Sequence, residues 1–363
     1  MKNTFGSSVS VTLFGESHGE CIGAVIDGLA PGIAVNEKFI SSQLSLRRPA
    51  GKTGTKRVER DNFSIVSGVF EGRTTGTPLC IIIPNENVKS ADYALNSFIP
   101  RPGHADFTAN KKYHGYEDYR GGGHFSGRLT AALVAAGAIV IDALRSKDIY
   151  IGTHILRCAK INDRRFKNLK DDINYLNKQK FAVLDPEKAE PMQAAVKEAA
   201  AQGDSVGGIL ETAVIGLPAG VGEPWFDTLE GTLSHALFSI PAVKGIQFGN
   251  AFRDIDLRGS EYNDAFTIKG DRIETKTNRN AGINGGITNG MPVIFSLAVK
   301  PTPSVFTEQK SVDLMQMKET ELKISGRHDP AIIHRARVVV DSVTALVIAD
   351  MLAQRYGTDY LGE

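Results

Sequence analysis

The rhythm of apolar and polar positions changes several times along this chain, and each change predicts an element. Residues 8–14 and 21–27 are rich in β-branched and apolar side chains on either side of a glycine-containing turn, so they read as two strands. A helix is expected near 36–46, followed by strands near 63–70 and 78–83. The run LTAALVAAGAIVIDAL (129–144) is apolar almost throughout and predicts a buried helix over 129–145. It is shorter than the roughly 20 residues that span a bilayer, carries Asp142 and ends beside Arg145. Residues 187–202 have the pattern of a surface helix stopped by Gly203, and strands are expected near 207–215 and 292–299. The pattern over 338–357 suits a core helix ending at Gly357, with Asp329-Pro330 as its N-cap and first-turn proline.

Strands and helices do not alternate in a βαβ rhythm, and several strand pairs read as hairpins. The pattern therefore points to the α+β class. Between the elements lie irregular stretches: 46–60, broken by Pro49, Gly51 and Gly54; 101–128, which reads as a long polar loop; and the Gly/Asn-rich turns of 278–290.

Composition narrows the function more than the fold. The 363 residues are 42% hydrophobic and 23% charged, ordinary for a globular protein with a large core. A net charge of +1 supplies no overall field to recruit nucleic acid or a membrane, so neither is expected as a partner. Cys21, Cys80 and Cys158 lie far apart, which suggests reduced thiols and a cytoplasmic protein. The N-terminus has no apolar signal segment.

Chemistry-bearing residues collect in four irregular segments. The first is Ser17-His18. The second holds Arg47, Arg48, Lys52, Lys56, Arg57 and Arg60; the third runs from Arg101 and His104 through Arg120, His124 and Arg128. The fourth is GRHDPAIIHRAR (326–337). Arginine's planar fork binds carboxylates and phosphates bidentately, so clustered arginines on glycine-rich loops suggest a polyanionic small molecule. Histidines among them would move protons near neutral pH.

Three familiar motifs fail on inspection. Gly15-Glu16-Ser17-His18-Gly19 spells the G-x-S-x-G of a hydrolase elbow, but the segment after the serine reads as a strand, not a helix. The run Gly122 to Gly127 approaches a P-loop, yet Arg128 and Leu129 replace its lysine and hydroxyl. No G-x-G-x-x-G comes after a predicted strand, and no histidine or cysteine spacing suits zinc, so no metal site is expected.

Taken together, the segments FGESHGECIGAVIDGLAPG (14–32), GGGHFSGRLTAALVAAGA (121–138) and GRHDPAIIHRARVVVDSVTALVIAD (326–350) resemble, in order, the three signature regions of the chorismate synthase family. SGVFEGRTTGTP, RPGHAD, FSIPAVKGIQFG, NAGINGGITNG and KPTPS extend the likeness over about residues 5–355, with 159–190 the least diagnostic. The resemblance implies a single domain over 1–363, built as a layered sandwich of antiparallel sheets around a helical core. It also implies a lyase of the shikimate pathway and aromatic amino acid biosynthesis, which converts 5-enolpyruvylshikimate 3-phosphate to chorismate by 1,4 anti elimination of phosphate. The reaction has no net redox change but requires reduced FMN. The alternative weighed beside it is an FMN-dependent oxidoreductase acting on an anionic small molecule.

By motif, the resemblance gives His18 the role of acid for the departing phosphate. His104 would serve the reduced flavin near N1, and Asp329 would work with flavin N5 to remove the ring proton. Ser17 and Ser126 would support these hydrogen bonds. The FMN shell would draw on His124, Phe125, Ser126, Pro241, Ala242, Gly285, Lys300, Pro301, Thr302, Pro303, Ser304 and Arg327, with Lys300 and Thr302 at the flavin phosphate. Arg47, Arg48, Arg57, Arg101, Arg128, Arg335 and Arg337 would meet the substrate anions. His328 and His334 are expected to cap or pack around the last helix, and His114 and His235 to be structural.

The chain departs from the family pattern in three places. Gly122 to Leu129 stands where GGRSSARE is usual, Lys52 where an arginine linked to NADPH is common, and Asp341 where glutamate is common. A homotetramer is implied. Reduction of the flavin by NADPH on this chain and supply by an external flavin reductase both stay open, with the lack of an appended reductase domain favouring the second.

Overall fold

The computed structural model describes residues 2–48, 60–86, 98–324 and 329–362. Its first sheet is antiparallel, in the order β1-β2-β3-β7-β4. These strands are β1 (Thr4–Phe5), β2 (Ser10–Gly15), β3 (Cys21–Asp27), β4 (Ser64–Ser67) and β7 (Leu79–Pro84); the ribbon of β5 (Val69–Phe70) and β6 (Arg73–Thr74) precedes β7. The second sheet comprises β8 (Tyr150–Cys158), β9 (Ile161–Asn162), β10 (Gly208–Ile215), β11 (Val243–Phe248) and β16 (Val293–Val299). It is also antiparallel, in the order β11-β16-β10-β8-β9. Besides the β5–β6 ribbon, three further hairpins stand outside the two sheets among the described residues: β12 (Phe266–Lys269) with β13 (Arg272–Thr275), β14 (Ile283–Asn284) with β15 (Ile287–Thr288), and β17 (Gln309–Asp313) with β18 (Lys318–Leu322).

The helices are α1 (Glu37–Arg47), α2 (Asp106–Tyr113), α3 (Thr130–Ser146), α4 (Leu169–Leu176), α5 (Ala189–Ala201), α6 (Leu229–Leu237), α7 (Ala251–Asp254), α8 (Gly259–Tyr262) and α9 (Ile333–Tyr356). Helices α3 and α9 fill the space between the sheets. Helix α3 packs against β3 and β7, α9 against β8 and β10, and the two helices against each other. Both helices are apolar nearly all round because both are covered nearly all round. Gly137 permits their close approach: a Cβ there would lie 2.3 Å from Ser342 Cβ.

Strand periodicity sets the covering face. In the β3–β7 register Ile22 lies opposite Ile83, Ala24 opposite Ile81 and Ile26 opposite Leu79, and all six are buried. A one-residue slip would turn this face outward, so burial specifies the pairing. On the other side of the core, Asp350 of α9 accepts the backbone N–H groups of Ser7, Ser8 and Val9 at 2.7–3.1 Å and anchors the N-terminal strand.

The α+β expectation and the layered sandwich both hold. Ser17 does lie in a strand–turn–strand, since β2 and β3 pair antiparallel across it. Helix α1 begins under Asn36, whose side chain accepts the N–H of Phe39 at 3.0 Å. The 127–146 segment is long and apolar enough to cross a membrane, but 89% of its apolar window is buried inside the fold.

Two expectations change. Residues 101–128 are not loop throughout: α2 occupies Asp106–Tyr113 and stops where His114 turns left-handed at φ 58°. The last helix starts at Ile333, not near 338, and Asp329 does not cap it. That carboxylate is taken instead by the Arg335 guanidinium, a stronger partner than a backbone N–H.

Candidate active site

A cavity of about 1100 Å³ lies between the first turns of α3 and α9, the end of α6 and the loops 99–106, 117–128, 239–242 and 300–304. One wall is the RPGHAD loop docked on KPTPS. Gly103 takes φ 74°, and a Cβ there would sit 2.9 Å from Pro303 Cβ, so only glycine allows the two loops to touch. Lys300 Nζ donates to Gly103 O at 2.7 Å, and His104 Nε2 shares a 2.6 Å hydrogen bond with Ser304 Oγ. The imidazole is thereby held at the cavity by a residue 200 positions away.

The opposite wall is the glycine-rich turn, in which Gly121, Gly122 and Gly123 all have positive φ. The Ser17 hydroxyl lies 3.2 Å from the carbonyls of both Arg120 and Gly121, and Ser17 N donates to Gly123 O at 3.1 Å. This docks the β2–β3 turn on the glycine turn. His18 does not line the cavity itself; its ring lies against Gly121, which does. A Cβ on residue 121 would come within 2.5 Å of His18 Cδ2 and Nε2. His124 Nδ1–H donates to Gly15 O at 2.9 Å, and Phe125 meets Tyr113 edge-on at 5.9 Å. Ser126 caps the next turn by accepting from Arg128 N at 3.3 Å.

Cationic groups ring the space: Arg47, Arg101, Arg128, Arg335 and Lys300 all line it. Each arginine is oriented by a carboxylate. Arg101 makes a bidentate pair with Asp106 at 2.8 Å, and Arg335 pairs with Asp329 while donating from Nε to Arg47 O at 2.7 Å. Arg47 and Arg128 share the buried Asp61. Burial by itself would raise the Asp61 carboxyl, but the charges and hydrogen bonds of Arg47 and Arg128 outweigh it and hold the group below the usual carboxylate range.

Of the residues expected at the flavin, His124, Phe125, Ser126, Pro241, Ala242, Lys300, Thr302, Pro303 and Ser304 line the cavity. Pro301 and Gly285 do not. Gly285 sits in the β14–β15 turn, where a Cβ would meet nothing within 4 Å. Among the expected substrate residues, Arg48 stands behind the wall 3.5 Å from Asp61. Arg337 lies in the core, 1% exposed, donating to Gln179 O and facing Asp341 at 3.5 Å. Its neighbour Arg335 turns to the cavity because two residues along a helix rotate a side chain by roughly 200°. Arg57, Arg327, Lys52 and His328 lie outside the described residues.

Sequence reasoning missed Asp61, whose only signal is an acid after a basic run. It also missed Asp106, readable from its spacing to Arg101. His235, expected to be structural, lines the cavity and meets Phe5 edge-on at 5.4 Å.

With this geometry in view, the likeness to known proteins covers both sequence and fold. The sequence profile described as chorismate synthase matches residues 9–353. Chorismate synthase of Pyrococcus abyssi is 44% identical over 350 residues, spanning 96% of this chain and 97% of that protein. The enzyme of that name from Dehalococcoides mccartyi is 44% identical over 358 residues, 98% of each chain. A solved structure titled "Crystal Structure of Chorismate Synthase" superposes with a TM-score of 0.77 at 26% identity, covering 97% of this chain and 94% of that one. Signature order, sheet–helix–sheet architecture and full-length similarity converge, and the chain belongs to the chorismate synthase family.

Proposed function

We propose that this protein eliminates phosphate from 5-enolpyruvylshikimate 3-phosphate to form chorismate, with reduced FMN as cofactor. The observation that carries the reading is the union, at one cavity, of a histidine, a carboxylate and several guanidiniums: His104, Asp329, Arg47, Arg101, Arg128 and Arg335. A substrate with a phosphate and two carboxylates needs such a cationic wall, and a site closed to water strengthens each contact.

The residues present fit FMN. Thr302 Oγ1 is buried at the cavity with no hydrogen-bond partner among the described residues, and Lys300 lies two residues away on the same loop. Both suit a flavin phosphate. Ala242 holds φ 75°, a strained backbone for a residue with a Cβ, beside Pro241 at the other wall. When bound, the reduced flavin supplies the electron-rich ring against which phosphate departs. His104, fixed by Ser304, would protonate or stabilise the reduced flavin. His18, which lies behind Gly121 rather than on the cavity lining and has Ser17 beside it, would give its proton to the leaving phosphate across that glycine. Asp329 would take the proton from the substrate's ring carbon as Arg335 turns toward a substrate anion.

The core draws on both sheets in one continuous buried cluster, which supports reading the chain as a single domain. Phe266, Ile268 and Ile273 on the β12–β13 hairpin, and Trp225 and Phe226, are exposed apolar side chains, which supports reading the enzyme as an oligomer, a homotetramer. We read the enzyme as cytoplasmic and supplied with reduced FMN by an external reductase.

An anaerobic assay with 5-enolpyruvylshikimate 3-phosphate and chemically reduced FMN, following phosphate and chorismate together, tests the proposal. Equal release of both, over many turnovers per reduced flavin, is expected. One reductant consumed per turnover would point to an oxidoreductase, and release of neither product would refute the reading.

A further inference from the structure

Asp61 stands outside every signature segment, yet three arginines converge on it. Its side chain is fully buried. Arg47 Nη2 lies 3.0 Å from Oδ2, Arg48 Nε 3.5 Å from the same oxygen, and Arg128 Nη1 closes on Oδ1. These arginines come from two distant parts of the chain. Arg47 ends α1, Arg48 is its C-cap, and Arg128 lies in the turn before α3. Without a shared anion, the buried Arg47 and Arg128 would repel one another where water screens them little, whereas Arg48 stays partly in solvent.

The carboxylate also reaches the β2–β3 turn through Arg128. Arg128 Nε donates to Asn85 Oδ1 at 3.1 Å, and Nη2 to Pro84 O at 3.2 Å. Asn85 Nδ2 in turn donates to Glu16 O and Gly19 O at 2.9 Å, the two carbonyls that flank Ser17-His18. One buried anion therefore sets two cationic groups of the cavity wall and, through Asn85, the turn that carries His18.

We propose that Asp61 is a positioning residue for the elimination: it touches neither substrate nor flavin but fixes Arg47 and Arg128 so that their outer edges present a preformed anion site. The inference rests on the cavity being the elimination site. Asparagine keeps the volume but loses the charge, and its amide N–H groups face guanidinium donors. One or both arginines then swing out of register with the substrate anions.

The backbone supplies an unusual test. Asp61 has φ 49°, a left-handed conformation that glycine adopts without strain. Asp61→Gly therefore removes the carboxylate without straining the backbone and leaves a gap of carboxylate size between Arg47 and Arg128. Formate or acetate would refill it; formamide, of similar shape but uncharged, would not.

The experiment measures steady-state turnover of Asp61→Asn and Asp61→Gly with chemically reduced FMN, with and without tens of millimolar formate, beside thermal unfolding under the same additives. Expected is a loss in kcat/KM of at least about 30-fold in both variants, carried mainly by KM. Formate should recover at least about tenfold in the glycine variant and raise its Tm, leaving the wild type unchanged. Activity of Asp61→Asn within about threefold of wild type overturns the proposal. So does a folded Asp61→Gly that formate neither reactivates nor stabilises, and so does failure of both variants to fold whether or not formate is present. Wild-type protein that forms no chorismate sinks the proposed function instead, and the formate-dependent rise in Tm then still reports on Asp61.

Discussion

His334 offers a test of the core that is independent of turnover. Its ring is 3% exposed at the start of α9, and neither nitrogen has a hydrogen-bond partner among the described residues. It stacks on Phe181 at 6.1 Å with 27° between planes. Burial, with Arg335 and Lys180 adding positive charge and only Asp329 opposing, lowers its pKa from 6.5 to about 4. A histidine depressed in the folded state contributes its full stability above pH 6.5, where the folded and unfolded chains are both neutral. Below that, the unfolded chain takes up a proton that the folded one refuses, so stability falls until pH reaches about 4. The displacement corresponds to about 3 kcal/mol in total, of which about 2 kcal/mol is lost by pH 5. His334→Leu keeps roughly the same volume and removes both orphaned nitrogens, each worth about 1–3 kcal/mol if it lacks a partner. The lost stacking offsets about 0.5–1.5 kcal/mol of this gain. The variant should therefore match or exceed wild-type stability at pH 7.5, and its advantage should widen by about 2 kcal/mol at pH 5. Urea unfolding at fixed protein concentration, at pH 7.5, 6 and 5, reads the difference directly. Parallel pH dependence in the two proteins would show that His334 is solvated or paired, and the reasoning would fail.

The site and the core carry four further expected outcomes. His18→Ala and Asp329→Ala should bind FMN as wild type, by fluorescence titration, while losing about 100-fold or more in kcat. Gly121→Ala places a Cβ against the His18 ring, so kcat should fall by about 10–100-fold with little change in KM, as measured by chorismate absorbance. Thr302→Val should weaken FMN binding about tenfold in the same titration, because the flavin phosphate proposed to lie there would lose the buried Thr302 hydroxyl as a partner. His154 is held between Asp163 at 2.9 Å and Glu211 at 3.0 Å; burial opposes its charge, but the two carboxylates prevail and raise its pKa. Its stabilisation is full below pH 6.5 and is lost as pH rises through the folded value. His154→Leu should therefore cost about 3 kcal/mol or more at pH 6, in urea unfolding, and less at pH 9.

Much of this protein can be read from local pattern. The β-branched and apolar runs of 21–27 and 78–83, bounded by turn residues, mark strands, and the near-continuous apolar run of 129–144 marks a covered helix. Ser17 fails as a nucleophile because a strand comes after it, which the sequence already shows. The clustering of arginines on glycine-rich loops was likewise legible, and Arg47, Arg101, Arg128 and Arg335 from those clusters line the cavity. These inferences depend on neighbours within a few residues, where periodicity and turn chemistry operate.

What only the tertiary structure decided depends on contacts far apart in sequence. Arg335 and Arg337 are indistinguishable as letters, yet one lines the cavity and the other is sealed against Asp341 under the second sheet. Asp329 looks like a helix cap and serves as a counter-ion. Asp61 joins α1 to the turn before α3, and His104 finds Ser304 across 200 residues. A charged side chain's role is set by which charges and how much water surround it after folding, and neither is encoded in its immediate neighbours.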